Sequence, residues 1–173
     1  YVGPRNEEAT LSYLAAQKNL ADGKDDLALG GKTAANPGFL GTYNDFSGTK
    51  VGKLSAYNAG LIKFKEGKYQ EAYDLLDKFS SDNKTLMALK YGAMADCQSN
   101  LNKNDDALSL LDKATSASDD PYTSYYFTRK AGLVALALKK NAEAKKYFTT
   151  IDEKYQDYDN GMSDSYIEMV KYY

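Results

Sequence analysis

The chain has 173 residues, 24 acidic and 22 basic, for a net charge of −2. That length suits one domain or a short array of repeats, and the near-neutral balance provides no positive field to gather a polyanion, so nucleic acid is not an expected partner. With no histidine and a single cysteine, Cys97, the chain cannot assemble an internal disulfide or a structural zinc site, and it lacks the commonest general base.

No apolar run approaches the roughly 18 residues of a membrane span. The sequence starts "YVGPRNEE" without a methionine, which raises the expectation of a removed signal peptide or anchoring segment. Residues 5–21 predict an amphipathic helix through Ala9, Tyr13, Ala16 and Leu20, and "KDDLALGG" after Gly23 starts a second helix that lasts about a turn.

The stretch "LALGGKTAANPG" (27–38) contains Gly31-Lys32-Thr33, the tail of a phosphate-binding loop. A complete loop needs glycine where Asp26 stands, a strand before it and a helix after it. Asp26 would repel phosphate, and Pro37 leaves almost no room for the helix. Gly30 and Gly31 are expected instead to break a helix, which "GFLGTYNDF" resumes with Phe39, Leu40, Tyr43 and Phe46 at helical spacing. Residues 1–50 therefore read as a hairpin whose second helix carries a Gly/Asn/Pro insertion.

Three later stretches (55–79, 90–114 and 128–151) align on Ala72, Ala107 and Ala144, spaced by 35 and 37 residues. Five positions before each anchor, where the chain must turn, stand Gly67, Asn102 and Lys139. Four after come Leu76, Leu111 and Phe148, one helical turn along the same face, then Phe79, Ala114 and Ile151. Twelve before stand Gly60, Ala95 and Gly132, small residues that allow two helices to approach. "SSDNK" (80–84) and "SDDPY" (118–122), with Asp119 or Asp120 ahead of Pro121, provide helix starts. Cys97 falls inside one of these apolar patterns and reads as a buried, inert thiol.

This pattern, closest in "AYNAGLIKFKEGKYQEAYDLLDKF", resembles the tetratricopeptide repeat. The departures are Ala56 and Lys63 at positions usually aromatic, and the missing repeat-ending proline. The resemblance implies an all-α, right-handed αα-solenoid forming a single domain over 1–173: a degenerate hairpin (1–50), repeats at 53–86, 88–121 and 125–158, and a capping helix (162–173) through Tyr166, Met169, Val170 and Tyr173.

No catalytic group, metal site or cofactor is expected. The pairs Asp25-Asp26, Asp105-Asp106 and Asp119-Asp120 lie in turns, where carboxylates cap helices. "DYDNGMSDSYIE" (157–168) has Asp157, Asp159 and Glu168 at calcium-loop positions, but Met162 stands where glycine is required. Lys139, Lys140, Lys145 and Lys146 read as a solvated turn, with contact to anionic lipid or an acidic partner as the alternative.

Sixteen tyrosines are a large excess, and tyrosine favours protein interfaces. Tyr57, Leu61 and Phe64 form one helical stripe; Tyr126, Arg129, Leu133 and Leu136 form another, preceded by Tyr122 and Tyr125. In tetratricopeptide proteins the first helices line a concave surface that holds peptides or partner helices. The resemblance thus implies a groove built from Tyr57, Asn58, Leu61, Phe64, Asp96, Asn100, Tyr126, Arg129, Lys130 and Leu133. The lysine-rich clamp of some chaperone-binding members has no evident counterpart. Two alternatives stay open: the terminal helix or the insertion fills the groove, or the Tyr-rich surface is buried in a homodimer.

Through "PRNEEA", the broken stretch from Leu27 to Leu61 and "TSYYFTRKAGLVALALKKNAEAKKYF", the chain also resembles membrane-anchored envelope proteins of Gram-negative bacteria, the ancillary subunits beside the Sec translocon. That resemblance implies a periplasmic protein scaffold tethered to the inner membrane by an N-terminal segment, with other proteins as its partners.

Overall fold

The computed structural model describes residues 3–171, and Tyr173, which the spacing assigns to the last helix, lies outside them. Among the described residues there are eleven helices and no strand. They pack as two compact units, Tyr1–Ser81 and Asp82–Tyr173. The first holds α1 (Gly3–Ala21), α2 (Asp25–Gly30), α3 (Gly38–Phe46), α4 (Lys50–Lys65) and α5 (Tyr69–Asp77). The second holds α6 (Lys84–Asn100), α7 (Asn104–Ala117), α8 (Pro121–Ala137), α9 (Asn141–Lys154), α10 (Gln156–Asp159) and α11 (Met162–Met169).

One turn recurs between α1 and α2, α4 and α5, α6 and α7, and α8 and α9. Gly23, Gly67, Asn102 and Lys139 all have positive φ, from 57° to 77°. A lysine follows each: Lys24, Lys68, Lys103 and Lys140, with φ between −85° and −96° and ψ between 63° and 66°. Its N–H donates to the carbonyl five residues back, on Asn19, Lys63, Gln98 and Ala135, at 2.9 Å in every case. The left-handed residue donates three back, to Leu20, Phe64, Ser99 and Leu136, at 2.9–3.0 Å. This paired motif satisfies carbonyls that a helix end would otherwise leave bare. Each lysine carbonyl then accepts from the anchor alanine, Ala28, Ala72, Ala107 or Ala144, starting the second helix at 2.9–3.0 Å.

The first hairpin therefore keeps the register of the others, which the spacing alone did not reveal. Ala28 stands five residues after Gly23 and Ala16 twelve before Ala28, and both are fully buried. Leaving out the seven residues Gly31 to Pro37 brings Phe39 and Thr42 into the positions of Leu76 and Phe79; both are fully buried too. The insertion is pinched at its base. A Cβ on Gly31 would lie 2.0 Å from the Asn36 oxygen and one on Gly38 2.6 Å from the Leu29 oxygen, at φ of +61° and +69°, so both positions demand glycine. Ala16, Ala28, Leu29 and Phe39 form one core with Ala59 and Ile62 of α4.

Small residues set how closely helices approach. A Cβ on Gly60 would fall 2.9 Å from Leu76 Cγ and 3.1 Å from the Ala72 oxygen, and one on Gly132 would fall 2.9 Å from Phe148 Cζ. Gly92 of α6 faces Phe127 of α8 in the same way, at 2.1 Å from its ring. The expected helix starts are present: Asn83 Oδ1 accepts from the Leu86 N–H at 2.9 Å and Asp120 Oδ2 from the Thr123 N–H at 2.7 Å. Hydrogen bonds from Thr123 hold the Asp120 carboxyl below its usual pKa. Helix α11 lies on α9 with Tyr166 stacked on Phe148 at 4.5 Å, and Val170 is buried just beyond the end of α11.

Cys97 is fully buried, and burial, aided by the adjacent Asp96 charge, pushes its thiol from 9.0 up to about 11. The neutral thiol is favoured in the folded chain, so its contribution to stability is intact below pH 9 and lost as pH rises towards about 11.

Three outcomes are expected. Gly92→Ala lowers stability by about 1–3 kcal/mol in denaturant titration, and adding Phe127→Leu recovers part of the loss because the two sites share one contact. Lys139→Gly raises stability by roughly 0.5–1 kcal/mol, since glycine occupies the left-handed region without a side-chain penalty. Iodoacetamide at pH 8 leaves Cys97 unlabelled in the folded chain and labels it in denaturant, as mass spectrometry would show.

Candidate functional site

The expected groove residues fall on the first helices of their hairpins, in each unit separately. On α4 the i, i+4 spacing places Tyr57 and Leu61 along one face. The Tyr57 ring lies 5.0 Å from that of Phe79, and burial raises its hydroxyl pKa. Phe64 meets Tyr69 edge-on at 5.3 Å. Asn58 Nδ2 donates to Tyr13 Oη at 3.1 Å and to the Leu54 oxygen at 3.2 Å, while Gln17 Nε2 donates to the same Tyr13 Oη at 2.6 Å. Asn58 is thus tied to α1, and Leu61, 38% exposed, is the large apolar side chain this face offers to solvent.

In the second unit Asp96 of α6 pairs with Lys130 of α8 at 2.6 Å. Asn100 Nδ2 donates to the Asp96 carbonyl at 2.8 Å. Lys130 Nζ also lies 6.0 Å from the centre of the Tyr126 ring, a favourable cation–π position. Tyr126 is 49% exposed and meets Phe127 edge-on at 5.1 Å.

A cleft of about 460 Å³ opens along α8, lined by Tyr122, Tyr125, Tyr126, Arg129, Lys130, Leu133 and Met162. Four expected groove residues, Tyr126, Arg129, Lys130 and Leu133, meet there. Tyr122 and Tyr125 were legible as the start of the same stripe. Met162 was not, because it stands at the start of the expected capping helix (162–173) and its spacing does not show which residues of α8 it meets.

Tyr125 forms the inner wall. Its ring stacks on Tyr158 at 5.8 Å and its hydroxyl donates to Asp159 Oδ1 at 3.4 Å. The other Asp159 oxygen accepts from the backbone N–H and the hydroxyl of Ser163, both at 2.6 Å. This buried carboxylate therefore caps α11 and braces the cleft. Burial, then the Asp159 charge, raises the Tyr125 hydroxyl pKa and keeps it a donor, with Arg129 opposing.

The chain's own segments contribute unequally. Residues 32–35 of the insertion are exposed. The terminal segment adds Met162 to the cleft and Tyr158 against Tyr122 at 5.9 Å. It borders the cleft and leaves it open.

Other sequence candidates also have assigned partners. The N–H groups of Lys32 and Thr33 both donate to the Asn36 oxygen, at 3.1 and 3.4 Å, so they do not face a phosphate. Asp25 pairs with Lys65, Asp105 with Lys140 at 2.8 Å, and Asp119 with Lys84 at 2.6 Å. In the lysine-rich turn Lys140 also approaches Glu143 at 3.7 Å, and the Asp105 hydrogen bond raises its pKa. Among the described residues no group of three or more His, Cys, Asp or Glu is arranged to hold a metal ion, and no helix is long and apolar enough to cross a membrane.

No protein-family model and no curated protein matches the sequence. Solved structures do. A crystal structure of MamA protein superposes with a TM-score of 0.66 at 17% identity, covering 95% of this chain and 81% of that one. A second MamA crystal structure gives 0.63 at 14% identity, covering 90% and 81%. At such identity the likeness speaks for the backbone alone. Together with the turn repeated four times it establishes an all-α, tetratricopeptide-like solenoid of helical hairpins.

Proposed function

We propose that the chain is a non-catalytic scaffold that holds an extended or helical segment of a partner protein against its first-helix faces. The observation that carries this reading is the solvent-facing apolar and aromatic area on those helices. Leu61 on α4 is 38% exposed, and Tyr122 and Tyr126 on α8 are 60% and 49% exposed beside an open cleft. Large apolar side chains exposed on a helix face, in each unit taken by itself, favour a protein partner over water. The non-catalytic character is supported by a chain without histidine and by carboxylates committed to caps and lysines.

We further infer a bacterial envelope location, periplasmic and tethered at the inner membrane. Its support is the resemblance of the three sequence stretches quoted above. Fractionation of cells carrying the complete gene tests it: release of the protein with the cytosol overturns it.

The binding reading is tested by placing a photo-crosslinking amino acid at Leu61 and at Tyr126 in cells. A discrete partner is expected at each position, and Leu61→Ser together with Tyr126→Ser should reduce its capture about tenfold, as loss of central apolar contacts does, while circular dichroism stays helical. Crosslinks to a second copy alone, with a dimer in light scattering, would replace the scaffold by a self-associating spacer.

A further inference from the structure

We infer that the α8 cleft binds an acidic side chain, glutamate or aspartate, flanked by apolar residues in a partner's segment, with Arg129 as the receiving cation. The choice of a protein partner rests on the scaffold reading; the chemistry of the cleft does not.

Arg129 is the unsatisfied group of this site. Its Nε is buried without a hydrogen-bond partner, and among the described residues its guanidinium takes part in no ion pair. The neighbouring cation differs: Lys130 is matched by Asp96 at 2.6 Å. The buried carboxylate that holds the wall residue Tyr125, Asp159, directs its oxygens to Tyr125 and Ser163. Withdrawing a guanidinium nitrogen from water with nothing to receive its proton is unfavourable, and an incoming anion reverses that cost.

Charge decides which anion. The cleft offers one uncommitted positive charge, and the carboxylates that touch its lining residues, Asp96 on Lys130 and Asp159 on Tyr125, are already engaged. A dianionic phosphate would keep one charge unmatched there, whereas a carboxylate matches the single charge and the planar fork of arginine. The walls decide its neighbours. Tyr122, Tyr126, Leu133 and Met162 surround the cation with ring and aliphatic surface, and about 460 Å³ accommodates one acidic side chain with part of an apolar neighbour.

The test uses two peptides of equal shape, acetyl-Phe-Glu-Leu-amide and acetyl-Phe-Gln-Leu-amide, titrated into the intact chain and followed by NMR at the Arg129 Nε–H and the Met162 methyl. The glutamate peptide is expected to shift both signals saturably and the glutamine peptide to bind about tenfold more weakly or less. Arg129→Gln should remove the difference between the peptides. It should also leave the thermal midpoint unchanged or higher, because an unpaired buried cation has gone; a purely structural arginine would lower it.

Equal binding of the two peptides, or a preference for glutamate that survives in Arg129→Gln, overturns the inference. So does inorganic phosphate shifting the same signals at comparable concentration, which would make this a general anion site. If peptide discrimination fails while Leu61 and Tyr126 still crosslink a partner, the scaffold reading stands without this one. Discrimination without any crosslinked partner leaves the carboxylate site and removes the scaffold.

Discussion

The close approach of two helices where one has no side chain, or only a methyl, is the constraint on which each hairpin depends. Ala16, Gly60, Ala95 and Gly132 occupy the same position in four first helices, and Phe39, Leu76, Leu111 and Phe148 occupy the facing position in four second helices. A Cβ at Gly60 or Gly132 would already intrude on the opposing residue. Burying a large side chain against such a gap gains apolar area without opening a cavity, and it sets the distance between the axes. The left-handed turn residue, with its two back-donated hydrogen bonds, fixes which residues face each other.

From that geometry follows the division of labour along the sequence. Second helices give their large residues to the hairpin interior, whereas the first helices keep an outer stripe that their own hairpin covers only in part. On α4 this stripe holds Tyr57, Leu61 and Phe64, with the two aromatic rings propped on Phe79 and Tyr69 and Leu61 in solvent. On α8 it becomes a cleft, since α11 contributes Met162 and the Asp159 cap fixes Tyr125 in place. Structural packing and candidate recognition are thus carried by adjacent positions on the same helix.

Legibility differed by the range of the interaction. The anchors Ala72, Ala107 and Ala144, the turns five residues before them and the caps at Asn83 and Asp120 depend on neighbours within a few residues, and all are readable from spacing. The register of the first hairpin was not, because seven inserted residues displace Phe39 and Thr42 from the positions a fixed period assigns. Lys139 could be placed in a turn by alignment, but nothing in a lysine signals a left-handed backbone.

By itself, then, the sequence determined the helical class, the hairpin units and the first-helix faces, because a period of 3.6 residues and small residues at constant offsets encode local packing directly. Only the tertiary structure decided that Met162 joins Tyr126 and Arg129, that Asp159 is spent on Ser163 and Tyr125, and that Asn58 answers to Tyr13. Those pairings join residues of separate helices, and no periodicity records which side chain meets a charge or a hydroxyl across a helix boundary.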